Sequence, residues 1–247
     1  MDCGLLFKFT RIDRLQFELK PSALIFGTVI HRVLAEFNEE RMNANILSSE
    51  ELKRRFEEYW QGSVSQENNI KYKDGQNANT LLIEGKMLLD AYYHSYPRDN
   101  FRILGIEEPF QFNIEELNLP IHGVMDLIEE DADGTIIVTD YKTAAKAYTA
   151  DEIDKNFQLT LYNMAAKRAM GYGDREILLK FDCLIKTKTP KFAQYYTTRD
   201  EIAEHRAIRK IGAVWEGIQN EVFIPNDGGW RCKDCAFKSH CDGWFNN

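Results

Sequence analysis

Residues 136–142 read Ile136-Ile137-Val138-Thr139-Asp140-Tyr141-Lys142, an apolar run that ends in a carboxylate, an aromatic ring and an ammonium. The run reads as a buried strand, and strand alternation places Asp140 and Lys142 on one face with Tyr141 on the other. Charges on a buried strand are costly unless they pair with one another or coordinate something. Two readings follow: a structural Asp–Lys ion pair at a strand end, or a site that binds a cation. The upstream segment Gly123-Val124-Met125-Asp126 supplies a second carboxylate. The turn-rich Asp131-Ala132-Asp133-Gly134 joins strands over 119–129 and 135–142 as a hairpin that would set Asp126 beside Asp140. Two converging carboxylates suit a hard divalent cation such as Mg²⁺ or Mn²⁺, with Lys142 near the nucleophile or the developing negative charge.

Outward from this hairpin the pattern divides the chain. Toward the N-terminus, Ile30, Val33, Leu34 and Phe37 recur at helical spacing from Leu24 onward. A second helix opens at Ser48, with Glu51 at capping-box spacing and Leu52, Phe56 and Tyr59 expected inward. Residues 61–79 turn polar and read as a long surface loop, after which a helix runs from Thr80 to about Tyr96 and stops before Pro97. Ile106, Glu108, Phe110, Phe112 and Ile114 then alternate as a strand with one buried face. Beyond the hairpin come one helix over 151–170 closed by Gly171, strands over 176–186 and 192–197, and a last long helix over 200–220. The expected fold is α/β, a mixed central sheet flanked by helices, with a small cysteine-bearing piece where the termini meet.

Composition narrows the function classes. The chain has 247 residues, 44% hydrophobic and 12% aromatic, which excludes disorder and a disulfide-stapled miniprotein. No apolar run approaches the roughly 18 to 20 residues that span a bilayer, and no signal-peptide pattern opens the chain, so a soluble, cytoplasmic protein with no membrane partner is expected. The formal net charge of −8 by itself speaks against nonspecific nucleic-acid binding.

Two further helices carry candidate site groups. His31 lies on the first helix with Gly27 one turn earlier, where the missing side chain leaves room above the imidazole. Gln158 and Tyr162 share one face of the helix that follows the Asp140 strand. Gly27-Thr28-Val29-Ile30-His31, Gly123-Val124-Met125-Asp126, Asp140-Tyr141-Lys142-Thr143 and Gln158-Leu159-Thr160-Leu161-Tyr162, in this order, resemble the motif set of the PD-(D/E)xK nuclease superfamily. The resemblance is nearest to the RecB-like exonucleases, which include nuclease domains of recombination helicase–nucleases and CRISPR adaptation nucleases. It implies a restriction-endonuclease-like core and a metal-dependent DNA nuclease. Asp126, Asp140 and His31 would be metal ligands, Lys142 would assist the attacking water, and Gln158 and Tyr162 would position the site. It also implies DNA, single-stranded or with free ends, as substrate, and a helicase or integrase as partner. A non-catalytic DNA-binding or complex-forming module on the same fold is the alternative. Family members often carry a glutamate in the first strand: Glu107 fits the family pattern, whereas alternation sets Glu108 with Phe110, and both stay open.

The cysteines bear on the same resemblance. Cys232-x2-Cys235-x5-Cys241, read alone, suits Zn²⁺ with His240 or another residue as fourth ligand. With Cys3 the set offers four thiolates, suited to zinc or to an iron–sulfur cluster. One N-terminal cysteine plus this C-terminal triple resembles the 4Fe-4S staple of iron–sulfur members of the nuclease group, which implies a cluster clasping the termini. The expected organisation is a single nuclease domain over 1–247, with a helical part over about 21–100, a catalytic core over about 101–220 and an Fe-S segment from 1–10 and 225–247. Cys183 reads as a buried thiol. Lys180, Lys186, Lys188 and Lys191, with Arg206, Arg209 and Lys210 and with Lys8, Arg11 and Arg14, form a candidate basic track for a phosphate backbone. Trp230 and Phe237 are candidates for packing around the cysteines or for base stacking.

Overall fold

In the computed structural model, residues 3–16, 19–97, 101–228, 232 and 235–246 are described. Helix α1 (Gly4–Phe7) leads into a π-helical turn over Lys8–Ile12. A two-residue strand β1 (Lys20–Pro21) precedes α2 (Ser22–Met42) and α3 (Ser49–Gln66). Next come β2 (Ile70–Lys71), α4 (Ala78–Ser95) and the first long strand β3 (Arg102–Ile114). The hairpin strands are β4 (Leu119–Glu130) and β5 (Ile136–Ala144). Two helices, α5 (Ala150–Asp154) and α6 (Phe157–Arg168), lead to β6 (Ile177–Ile185) and β7 (Lys191–Thr197). The chain closes with α7 (Glu201–Gln219) and α8 (Lys238–Phe245).

The central sheet has the order β3-β4-β5-β6-β7, with only β5 and β6 parallel. The β5–β6 connection carries α5 and α6, the helical crossover that a parallel pair needs. One face packs under α2, α3 and α4 through Phe26, Ile30, Leu34, Trp60, Leu127 and Tyr141. The other packs under α6 and α7 through Phe110, Met125, Val138, Tyr162, Met164 and Phe181. The mixed sheet flanked by helices is therefore present as expected.

Several local expectations change. The loop over 61–79 is shorter than the polarity implied, because α3 runs on to Gln66 and Asn77 caps α4 reciprocally with Thr80. Its middle is ordered by parallel pairing of β2 with β1. On α3 Leu52 and Phe56 are buried as expected, but the third inward residue is Trp60, whose indole N–H donates to the Ala78 carbonyl at 2.9 Å, not Tyr59. Tyr59 is half-buried, donates its hydroxyl to Glu36 and lies under the Arg32 guanidinium. The helix over 151–170 is two helices, broken at Lys155–Asn156, where the Asn156 side chain accepts from Leu159 N and starts α6 afresh.

The α3–α4 contact is close enough to be set by a glycine. A Cβ on Gly85 would lie 2.0 Å from the Phe56 ring, which stacks on Trp60. Gly85→Ala gains about 1 kcal/mol of helix propensity and costs about 2 to 3 kcal/mol of overpacking, so a net loss is expected in urea melts. Gly62→Ala on α3, where an added Cβ meets nothing within 4 Å, should instead stabilise by about 0.5 to 1 kcal/mol. Equal effects of the two substitutions would contradict this packing.

A charge network lies beneath the helical N-terminal layer. Glu129 sits 3.2 Å from Arg41 and 3.8 Å from Lys180, and Lys180 is 3.5 Å from Asp182. Two cations and two anions balance, and Gln194 donates to Asp182 at 2.9 Å. Lys180 is thereby 1% exposed and Lys186 is packed on Phe26 beside Glu84, so neither contributes to a surface basic track. Lys188, Lys191, Arg206, Arg209 and Lys210 are exposed. Among the described helices, none is long and apolar enough to cross a membrane.

Candidate active site

The hairpin positions the site by coming apart. The β4–β5 ladder runs from the Glu130–Ile136 pair to the Leu127–Thr139 pair and then stops. At the next step the Tyr141 N–H donates to the Asp126 carboxylate at 2.7 Å instead of to a backbone carbonyl. Asp126 therefore stands opposite Asp140, as the hairpin register required. Beyond this point β4 stays paired with β3, while β5 continues beside β6.

The parting coincides with a change of face. Met125 and Leu127 would share a face in a regular strand, yet Met125 joins the α6 side and Leu127 the α2 side. In β3, Ile106 packs on the α2 side and Phe110 on the α6 side, with Glu107 between them at φ +47°. A left-handed residue inside a strand is uncommon for a non-glycine and costs about 1 kcal/mol or more. It turns Glu107 toward Asp126, its neighbour between the Ile106–Leu127 and Glu108–Met125 pairs. Glu108 instead lines a groove with Phe110, Met170 and Tyr172. Of the two glutamates left open by the sequence, Glu107 is the one at the site.

From α2, His31 Nδ1 comes within 3.3 Å of Asp126, and its ring meets Tyr141 edge-on at 6.2 Å. His31, Glu107 and Asp126 each present a ligand atom, all within 4.8 Å of one another. A Cβ on Gly27 would meet nothing within 4 Å, and Gly27, Thr28, His31, Arg32 and Glu107 line one open groove. The space beside the imidazole therefore does not depend on the missing side chain of Gly27, since an added Cβ would not reach the ring.

From the other side, α6 closes on β5. Lys142 Nζ lies 2.5 Å from Asp140 Oδ2 and donates to Gln158 Oε1 at 2.8 Å. Gln158 Nε2 reaches Asp140 Oδ1 at 2.6 Å, and Tyr162 donates to the Val124 carbonyl at 2.8 Å with Asp140 Oδ1 at 3.2 Å. One amide thus holds the carboxylate and the ammonium in register, which needs Gln158 and Tyr162 one turn apart on a helix that starts just before Gln158, at Phe157.

The electrostatics point one way. Burial, then the neighbouring Asp126 charge, pushes Asp140 up to about 6 against the opposing pull of Lys142. Burial and Asp126 also raise Glu107. Burial works against a charged His31, but the Asp126 hydrogen bond and the surrounding carboxylates outweigh it and raise that group too. Burial is the leading cause of both carboxyl shifts and the Asp126 charge adds to it, a repulsion that a bound cation would relieve.

A family model for the PD-(D/E)XK nuclease superfamily matches residues 1–242. The chain belongs to this superfamily. Among solved structures, a candidate exonuclease from Eubacterium rectale aligns with 95% of this chain and 81% of its own, at 10% identity and TM-score 0.55. At that identity the likeness is one of fold. The crystal structure of SSO0001 aligns over 95% of this chain and 93% of its own at 14% identity, with a TM-score of 0.34. No curated protein matches.

In this PD-(D/E)XK superfamily member the structure brings together His31, Asp126, Asp140, Lys142, Gln158 and Tyr162, all named from sequence, with Glu107, one of the two glutamates the sequence left open. Cys3, Cys232, Cys235 and Cys241 line one cavity of about 210 Å³ with Leu5, Phe9 and Phe237. The termini meet there, and Gly4 N–H donates to the Ile224 carbonyl at 2.9 Å. Phe237 is buried against Phe9, so of its two candidate roles packing is the observed one, whereas Trp230 lies outside the described residues. Cys183 is buried, and burial pushes its thiol up to about 12, which keeps it protonated and inert.

Proposed function

We propose that this PD-(D/E)XK protein is a metal-dependent DNA nuclease, acting from free ends, with a 4Fe-4S cluster clasping its termini. The observation that carries the reading is the convergence of His31, Glu107 and Asp126 within 4.8 Å, one strand away from the Asp140–Lys142–Gln158 triad. One imidazole and two carboxylates fit Mg²⁺ or Mn²⁺, whose ligand atoms sit about 3 to 4.2 Å apart in an octahedron of 2.1 Å bonds. Asp140, opposite Asp126, would complete the set. A cation held there supplies Lewis-acid polarisation of a phosphate oxygen and a more acidic water.

The chain's own groups would do the rest. Lys142, two residues beyond Asp140 and only partly exposed, brings a positive charge to where charge develops on the phosphate. Gln158 and Tyr162 hold Asp140 and Lys142 in one orientation, which spares reorganisation during reaction. At the termini, four thiols around one cavity suit a cluster. Four thiols match either zinc or a four-iron cluster in ligand number, and the resemblance to the iron–sulfur members of the superfamily favours the cluster.

Digestion of end-labelled linear and circular DNA, single- and double-stranded, by anaerobically purified protein tests the activity. The expected result is Mg²⁺- or Mn²⁺-dependent loss of linear substrate with circles spared. Circles cut as fast as linear DNA would overturn the requirement for ends, and no cleavage with either ion would overturn the nuclease reading.

A further inference from the structure

Arg199 follows β7 and is 9% exposed, yet among the described residues its guanidinium forms no ion pair. Every hydrogen bond it makes goes to a neutral acceptor. Nε donates to Thr160 Oγ1 at 2.8 Å, Nη1 to Thr197 Oγ1 and the Thr198 carbonyl at 2.8 Å, and Nη2 to the carbonyls of Ile153 at 2.8 Å and Asn156 at 3.1 Å. Five bonds match the five donors of a guanidinium in its fixed planar fork. Burial disfavours the charge, which Asp154 and Asp200 offset only in part, and no neutral side chain offers five N–H donors in one plane.

What the fork joins gives the cost a purpose. Ile153 lies in the short α5, and Asn156 is the cap residue that starts α6. Thr160 is in the first turn of α6, and Thr197 also donates to Asp154 at 2.8 Å. Arg199 therefore bolts the α5–α6 break to the end of β7. Gln158, two residues after Asn156, reaches Asp140 at 2.6 Å and receives Lys142 at 2.8 Å. A shift of the α6 start by about 1 Å would break both bonds and is enough to cost on the order of 100-fold in rate.

We infer that Arg199 is a positioning residue which, through the α5–α6 break, holds Gln158 against Asp140 and Lys142. The inference deepens the nuclease reading and rests on it. Arg199 is buried and its hydrogen bonds go to none of the proposed metal-binding groups, so its effect should appear in the turnover step and pass through Gln158.

The test is a double-mutant cycle on the full-length holoprotein with Mn²⁺ and linear single-stranded DNA: wild type, Arg199→Lys, Gln158→Ala and the double variant. Arg199→Lys keeps the charge and loses the fork. It should lower kcat by about 10- to 100-fold with KM within about twofold, and the double variant should be no more than about twofold slower than Gln158→Ala alone. Additive losses, an effect confined to KM, or unchanged kcat would overturn the inference, because a general loss of folded protein does not pass through Gln158. Should Arg199→Lys fail to fold, Thr160→Val removes the Nε acceptor, together with the hydroxyl's own bond to the Asn156 carbonyl, and should give about a 3- to 10-fold fall in kcat with the same non-additivity. Hydrogen exchange provides a readout independent of activity. Arg199→Lys should speed exchange of the amides of residues 157–162 by tenfold or more relative to β5 and β6, and uniform exchange overturns the positioning role. If wild type cuts no DNA, the nuclease reading fails on its own, and the exchange result still decides whether Arg199 sets the α6 start.

Discussion

Asp140→Asn is expected to lower DNA cleavage by about three to four orders of magnitude while leaving the protein folded. The substitution keeps the side chain's shape but removes the charge that faces Asp126 across the parted hairpin and pairs with Lys142 at 2.5 Å. It also places an amide beside Gln158 and Tyr162, so one of the bonds that orients the triad is lost or reversed. Stability should move the other way. Asp140 is 1% exposed and burial pushes it up to about 6, so its carboxyl holds a proton more readily folded than unfolded. Folding therefore bears the cost of an ionised Asp140 above about pH 6 and escapes it below about pH 4, where both states are protonated. In chelator, Asp140→Asn should melt no lower than wild type at neutral pH, with any gain vanishing in acid. Cleavage within tenfold of wild type would remove Asp140 from the site, and a melting temperature many degrees lower would show that the lost activity reflects lost fold.

How far the sequence reached depends on whether a rule of regular structure held. Asp126 and Asp140 were legible because a hairpin's register follows from its turn, and the Asp131–Gly134 turn sits where the spacing required. Gln158 and Tyr162 were legible because helical spacing holds within α6. The choice of Glu107 over Glu108 was not, since alternation assumes a regular strand and Glu107 breaks it with a left-handed φ. Alternation picks the wrong glutamate unless that kink is known. The burial of Lys180 was likewise hidden: Asp182 is two residues along the same strand, but Glu129 comes from β4, and the Arg41 that pairs with Glu129 comes from a helix more than a hundred residues away from Lys180. Arg199 left no signal: it follows a strand in a short connection, and its acceptors are backbone carbonyls and threonine hydroxyls that no motif marks. The break between α5 and α6 had a readable cue in the Asn156 cap, but the apolar period ran through it.

Cys3→Ser should cost the protein its cluster and a large part of its thermal stability. Anaerobic wild type is expected to be brown with about four iron and four sulfide per chain, and the variant colourless or depleted in iron. The terminal unit has little else to hold it: Leu5, Phe9 and Phe237 are its buried apolar residues among those described, supported by the Gly4–Ile224 bond and the stacking of Phe7 on Phe223. So small a core stabilises weakly. A cluster joining Cys3 to Cys232, Cys235 and Cys241 closes nearly the whole chain into one loop. By the loop-entropy argument a cross-link of that span removes about 5 kcal/mol of freedom from the unfolded chain, an upper bound because the denatured state keeps some compactness. For a domain of this size that corresponds to a fall in melting temperature on the order of 10 °C. Cys183→Ser is the control, since that thiol lies in the sheet core away from the termini and should leave iron content unchanged. Because the proposed catalytic groups sit on β3, β4, β5, α2 and α6, Cys3→Ser should retain the proposed metal-dependent cleavage at temperatures where it stays folded. A colourless wild type carrying one zinc per chain, or a brown Cys3→Ser variant with full iron, would overturn the clasp without touching the nuclease site.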